Sequence, residues 1–201
     1  MDKKLHLIYF SPTGTTRKVL TSFAEGFSGY KVIHHDLTHS ATPPKILIKS
    51  GIAVFGMPVY GGRAQVTALR RMRKITGAQT PSVVIGLYGN REFEDAIVEM
   101  RDVIKDVGFT PIAGGAFIGE HSYATWEHKI AMGRPDGDDL TIAKEFGESV
   151  KTKLESGDLT VPKMEGNKPY KEAVLPKGIT PKTDHDKCKL CVNLNYLFTF
   201  C

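Results

Sequence analysis

Between Ser11 and Thr16 the chain places four hydroxyls, a proline and a glycine in six residues (Ser11-Pro12-Thr13-Gly14-Thr15-Thr16), directly before a helical pattern. A helix start carries about half a positive charge and unpaired backbone N–H groups, which suits a phosphate dianion. Gly14 lets the backbone come close to such a ligand. The loop lacks the Gly-Lys-Ser/Thr ending of a nucleoside-triphosphate site and the Gly-x-Gly-x-x-Gly of a dinucleotide site. A phosphate monoester fits what is left, held by amides and hydroxyls in a charge-free loop; a plain N-cap with extra hydroxyls is the simpler alternative. Two further loops, Met57-Pro58-Val59-Tyr60-Gly61-Gly62-Arg63 and Tyr88-Gly89-Asn90-Arg91-Glu92-Phe93-Glu94, each set glycine beside an aromatic. A flat heteroaromatic ring needs stacking faces and backbone near its edge, although ordinary turn chemistry uses the same residues.

The elements that must position these loops alternate. Strand patterns are expected over 4–10, 30–35, 51–56, 81–88 and 111–119, and helices over 15–27, 63–76, 93–107 and 139–154. Strands separated by helices make an α/β fold, a doubly wound parallel sheet covered on both faces. Ligands of such sheets lie outside the carboxyl ends of the strands, so the loops after strands one, three, four and five are where function is expected. Residues 156–187, rich in Pro, Gly and Lys, read as an extended linker or a surface-hugging tail.

These loops resemble those of the flavodoxin family. Ser11-x-Thr13-Gly14-x-Thr16 is similar to its phosphate loop, Pro58-Val59-Tyr60-Gly61-Gly62 to its second loop, and Tyr88-Gly89-Asn90-Arg91 with Phe93 to its third. The resemblance covers roughly residues 4–155 and implies a flavodoxin-like five-stranded sheet of order 2-1-3-4-5 over a domain 1–155. It implies flavin mononucleotide (FMN), with the phosphate on Ser11, Thr13, Gly14, Thr15 and Thr16 and the ring between the second and third loops. A backbone carbonyl at or near Gly61 is then the one that turns to meet the reduced ring. Glu94 is an acid beside the ring, either a proton donor or a helix-start carboxylate. The stretches 117–123 and 133–139 are similar to flavodoxin domains fused to a bacterial-type ferredoxin, which puts His121, Tyr123 and Trp126 over the flavin or, alternatively, in a pinned insertion loop. Hence the expected function is an FMN-binding electron carrier more than an enzyme; an NAD(P)H-dependent FMN or quinone reductase is the alternative. No residue is assigned a catalytic role.

The three cysteines all lie beyond residue 187. Cys188 and Cys191 match two places of a C-x₂-C-x₂-C-x₃-C cluster motif, but Leu194 and Phe198 occupy the other two. Residues 188–201 therefore read as a truncated ferredoxin-like fragment, and an iron–sulfur cluster in this chain alone is disfavoured. A second metal pattern, His34-His35-Asp36, fails because neighbouring strand residues point to opposite faces; no metal ligand is assigned.

The net charge is +5, from 27 basic and 22 acidic residues. Residues 1–150 carry 18 and 16 of these and the rest 9 and 6, so the excess is spread out and is not a nucleic-acid arm. The local cluster Arg63, Arg70, Arg71, Arg73 and Lys74 reads as a solvated helix face or as a docking patch for an acidic redox partner protein. The absence of a disulfide framework, leader pattern or membrane-length apolar run points to a cytoplasmic protein. Composition gives no oligomeric state.

Overall fold

The computed structural model describes residues 2–39 and 44–172. The cysteine motif and residues 173–187 lie outside the described residues. The chain runs β1 (Lys4–Tyr9), α1 (Thr15–Glu25), β2 (Lys31–Asp36), β3 (Ile46–Ile48), β4 (Ile52–Tyr60) and β5 (Arg63–Ala64). It continues with α2 (Val66–Met72), β6 (Ile75–Gly77), β7 (Thr80–Tyr88), α3 (Ala96–Asp106), β8 (Phe109–Ile118) and α4 (Gly137–Glu155).

Five parallel strands form the sheet in the order β2-β1-β4-β7-β8. This is the 2-1-3-4-5 order expected of the five long strands, and the fold is flavodoxin-like α/β. Alternation along each strand separates two cores. Ala53, Phe55 and Met57 of β4 face α2 and α3, meeting Met72, Met100 and Ile104. Ile52 and Val54 face α1 and α4, meeting Leu20, Phe23, Val150 and Leu154. Each of the larger buried side chains here contributes about 1.5–3 kcal/mol, so both faces fix the strands and hold their carboxyl ends along one edge.

Three short strands depart from the expected pattern. The third long strand ends at Tyr60 instead of Gly56, because Met57 and Pro58 still pair with Gly86 and Leu87 of β7. The expected helix over 63–76 is cut to Val66–Met72. Arg63 and Ala64 pair antiparallel with Tyr60 and Val59, and Ile75–Gly77 pairs with Ile46–Ile48. Backbone pairing thus takes both ends of that helical pattern, and β-branched Ile75 and Thr76 suit a strand. In β8, Pro111 has no N–H to donate, and the register slips beside it between Ser82 and Val83. An edge strand tolerates this.

His34 and His35 do point apart: His34 meets the Tyr9 ring, and His35 stacks on His6 across β1–β2. His6 Nδ1 and His35 Nε2 are 3.0 Å apart and share one hydrogen bond. Burial and the charge of His35 hold His6 down at about 4, against an ordinary value of 6.5. The unfolded chain therefore binds more protons than the folded one between these values, and stability falls as pH drops through that window. Thermal melts taken from neutral pH down to about pH 4 will show this fall, and His6→Gln will flatten it.

Candidate functional site

The carboxyl ends of β1, β4, β7 and β8 converge on one cleft. Thr13, Thr15 and Thr16 form one wall. Pro58, Val59 and Tyr60 form a second, Leu87, Tyr88 and Gly89 a third, and 119–122 close the fourth side. The first loop is built from its own hydrogen bonds. Gly14, at φ 81°, donates its N–H to Ser11 O (3.1 Å), and Ser11 Oγ accepts from Arg17 N (3.0 Å). Ser11 N donates to Thr38 Oγ1 (2.9 Å), whose own carbonyl, with that of Leu37, accepts from Arg71 Nη1. The amides of Thr13, Thr15 and Thr16 donate to nothing among the described residues. Thr13 Oγ1 and Thr15 Oγ1 lie 2.5 Å apart at the cleft mouth.

The first turn of α1 contains no acid, and Arg17 and Lys18 follow at once. Cations here oppose the helix dipole, which favours negative charge at this end. Lys18 reaches across to donate its ammonium to Pro135 O (2.7 Å), bordering a hollow that adjoins Thr13, Gly14 and Thr15. An anion on the free amides would relieve both the unpaired donors and the crowded cations. Sequence reasoning missed Lys18; its position three residues after Thr15, on the same helix face, was the available signal.

The second loop reduces to a two-residue hairpin turn. Gly61 (φ 59°) and Gly62 (φ 76°) are both left-handed, the pattern of a type I′ turn. A Cβ on Gly61 meets nothing within 4 Å, whereas one on Gly62 would sit 2.5 Å from Glu94 Oε2. Gly62 O accepts from Asp95 N (3.0 Å), while Gly61 O has no partner among the described residues. In the third loop a Cβ on Gly89 would lie 2.4 Å from His121 Cδ2, so the imidazole packs directly on that backbone. Tyr123 N donates to His121 Nδ1 (3.0 Å). This leaves the neutral ring's proton on Nε2, which has no partner among the described residues.

Nine residues expected at the site thus line the cleft: Thr13, Thr15, Thr16, Pro58, Val59, Tyr60, Tyr88, Gly89 and His121. Gly61, Asn90, Arg91 and Tyr123 border a wider hollow beside Tyr60, together with Ile130; Gly14 borders the hollow at Lys18. Five others lie outside the cleft walls. Ser11 turns its hydroxyl to the α1 turn. Gly62 backs onto Glu94, and Glu94 pairs with Arg91 (2.5 Å) and Lys171 (3.4 Å). Phe93 packs edge-on against Tyr88 from behind. Trp126 is exposed. The basic cluster is divided: Arg63 forks onto Glu99 and Arg71 onto backbone carbonyls, so Arg70, Arg73 and Lys74 remain exposed. Among the described residues there is no group of three or more His, Cys, Asp or Glu able to hold a metal, and no helix is long and apolar enough to cross a membrane.

No family profile and no curated protein matches the sequence. Solved structures do match in fold. The flavodiiron core from Synechocystis is 18% identical, with TM-score 0.52 over 78% of this chain and 37% of that one. The rubredoxin oxygen:oxidoreductase of Desulfovibrio gigas is 14% identical, with TM-score 0.50 over 77% and 36%. An archaeal flavodoxin, 14% identical, aligns over 76% of this chain and 99% of its own at TM-score 0.49. The chain spans little more than a third of the first two. At these identities the likeness is one of fold.

Gly62→Ala combines a left-handed φ with a clash against Glu94. It is expected to cost about 1–3 kcal/mol, read as a lower urea midpoint with an unchanged slope.

Proposed function

We propose that this chain binds FMN without a covalent bond at the carboxyl edge of its sheet and passes electrons through it. The observation that carries this reading is that three amides without a partner among the described residues, at and just before the start of α1, border the slot walled by Tyr60, Tyr88 and Gly89. The donor set fits the cofactor at both ends. Uncharged amides and hydroxyls, with Lys18 at the rim, match a phosphate monoester. Aromatic walls and a glycine backbone match a planar ring. When bound, FMN supplies the redox chemistry, and the protein supplies binding, orientation and tuning.

Each residue then has a task. Thr13, Thr15 and Thr16 present amides and hydroxyls to the phosphate. Tyr60 and Tyr88 flank the ring. Gly61 offers the one turn carbonyl without a partner among the described residues, so its peptide can reorient at little cost. His121 presents an Nε2–H donor to the slot, with its tautomer fixed by Tyr123 N–H. The fold neighbours include proteins named as flavodoxins and flavodiiron proteins, which supports a flavin without specifying it. The electron partner we propose is an acidic protein meeting Arg70, Arg73 and Lys74, in the same cytoplasmic compartment.

One observation favours a second reading. The hollow bordered by Tyr60, Arg91, Tyr123 and Ile130 adjoins the slot and could seat a second planar substrate, as an NAD(P)H-dependent FMN or quinone reductase requires. NADPH oxidation by the FMN-loaded chain separates the two: turnover supports the reductase, and none supports the carrier.

Titration with FMN should quench flavin fluorescence at one site per chain. Replacing Thr13 and Thr15 together by alanine should weaken FMN about tenfold or more, because hydrogen bonds to a charged group are lost, and leave riboflavin affinity unchanged. Equal loss for both ligands would contradict the phosphate assignment.

A further inference from the structure

The described residues after α4 stay on the domain. Residues 158–172 run back over β8 and α3, with Met164 buried above Gly114 and Gly166 packed against Val98. Their polar contacts gather at the start of α3. Asp95 is fully buried. Its Oδ1 accepts from Asn167 N (2.7 Å) and Asn167 Nδ2 (3.0 Å), and its Oδ2 accepts from Lys171 N (2.6 Å). Burial works against this carboxylate, but the three hydrogen bonds together outweigh it and hold its pKa below the ordinary range. Asp102 receives Tyr170 OH (2.5 Å) and pairs with Lys168 (2.5 Å). The Tyr170 ring lies under the Arg63 guanidinium (4.9 Å), and Arg63 Nη1 donates to Lys171 O (3.1 Å).

Two features single out Asp95. It is the N-cap residue of α3, yet its side chain makes no capping bond; the stabilisation of about 1 kcal/mol that a cap gives its own helix is forgone. The same residue's N–H holds Gly62 O. One residue therefore ties the strap to the hairpin turn that ends the second loop.

We propose that the 164–171 strap is part of the site and that Asp95 is its positioning residue: through Asp95 the strap fixes the Gly61–Gly62 turn and with it the width of the ring slot. The slot's role as a ring site rests on the FMN reading above; the coupling of strap to turn does not. Arg63 reinforces it, because its guanidinium joins Glu99 on α3 to Tyr170 and Lys171 on the strap. Glu94 does the same at the tip, lying against Gly62 while paired with Lys171.

The test uses the full chain with Asp95→Asn, which presents an amide NH₂ where a carboxylate now accepts three donors. Amide hydrogen exchange over residues 58–64 should quicken about tenfold or more, while β1 and β7 stay protected. FMN affinity should fall by a similar factor, with inorganic phosphate affinity unchanged. Unchanged exchange at 58–64 would overturn the proposal, and so would a loosened turn with full FMN affinity. If the unsubstituted chain takes up no FMN yet Asp95→Asn still loosens the turn, the coupling is supported and the cofactor reading fails. Should Asp95→Asn not fold, Asn167→Ala combined with Tyr170→Phe weakens the strap from its own side and reads out in the same way.

Discussion

The amides of Thr13, Thr15 and Thr16, without a partner among the described residues and set at a helix start that carries cations and no acid, are the constraint around which this structure is arranged. A helix terminus left this way needs an anion or water. The loop is not loose enough to dispose of its donors by folding back. Ser11 is held on both sides, by Thr38 through its N–H and by Arg17 through its hydroxyl. Arg71 braces Thr38 from below. The loop that carries these amides is therefore held at the cleft wall. The sheet fixes that loop relative to the ends of β4 and β7, because β1, β4 and β7 are adjacent and buried on both faces.

How much of this was legible follows from the range of the interactions. The five long strands follow from local apolar runs, and the rules for parallel crossovers leave few topologies for them; their order is what the flavodoxin resemblance implies. The three short strands do not, because Ile46–Ile48, Arg63–Ala64 and Ile75–Gly77 are too short for a period and exist only by pairing with distant partners. For the same reason the helical pattern over 63–76 extends beyond the helix that forms, Val66–Met72. The loop contents were legible because glycine, threonine and aromatic residues announce themselves by type. Which of them face the cleft was not. Ser11, Gly62, Phe93 and Glu94 turn away because each meets a partner that the sequence alone cannot place beside it.

The tail shows the same limit from the other side. Its composition reads as an extended linker or a surface-hugging tail and names no contacts, yet Asn167, Tyr170 and Lys171 meet Asp95, Asp102 and Glu94 across some seventy residues of sequence. The basic cluster is likewise divided by long-range contacts: Arg63 and Arg71 serve the framework, and Arg70, Arg73 and Lys74 stay exposed. A run of like charges thus splits into framework and exposed members, a division visible only once burial is known.

Backbone amide NMR during addition of FMN addresses the central claim most directly. Hydrogen bonding to a phosphate dianion moves the bound N–H proton strongly downfield. The account predicts large downfield shifts at Thr13, Thr15 and Thr16, with Gly14 and Arg17, whose amides are already engaged, moving less. FMN binding that leaves these three amides unmoved, or no binding at all, would contradict it.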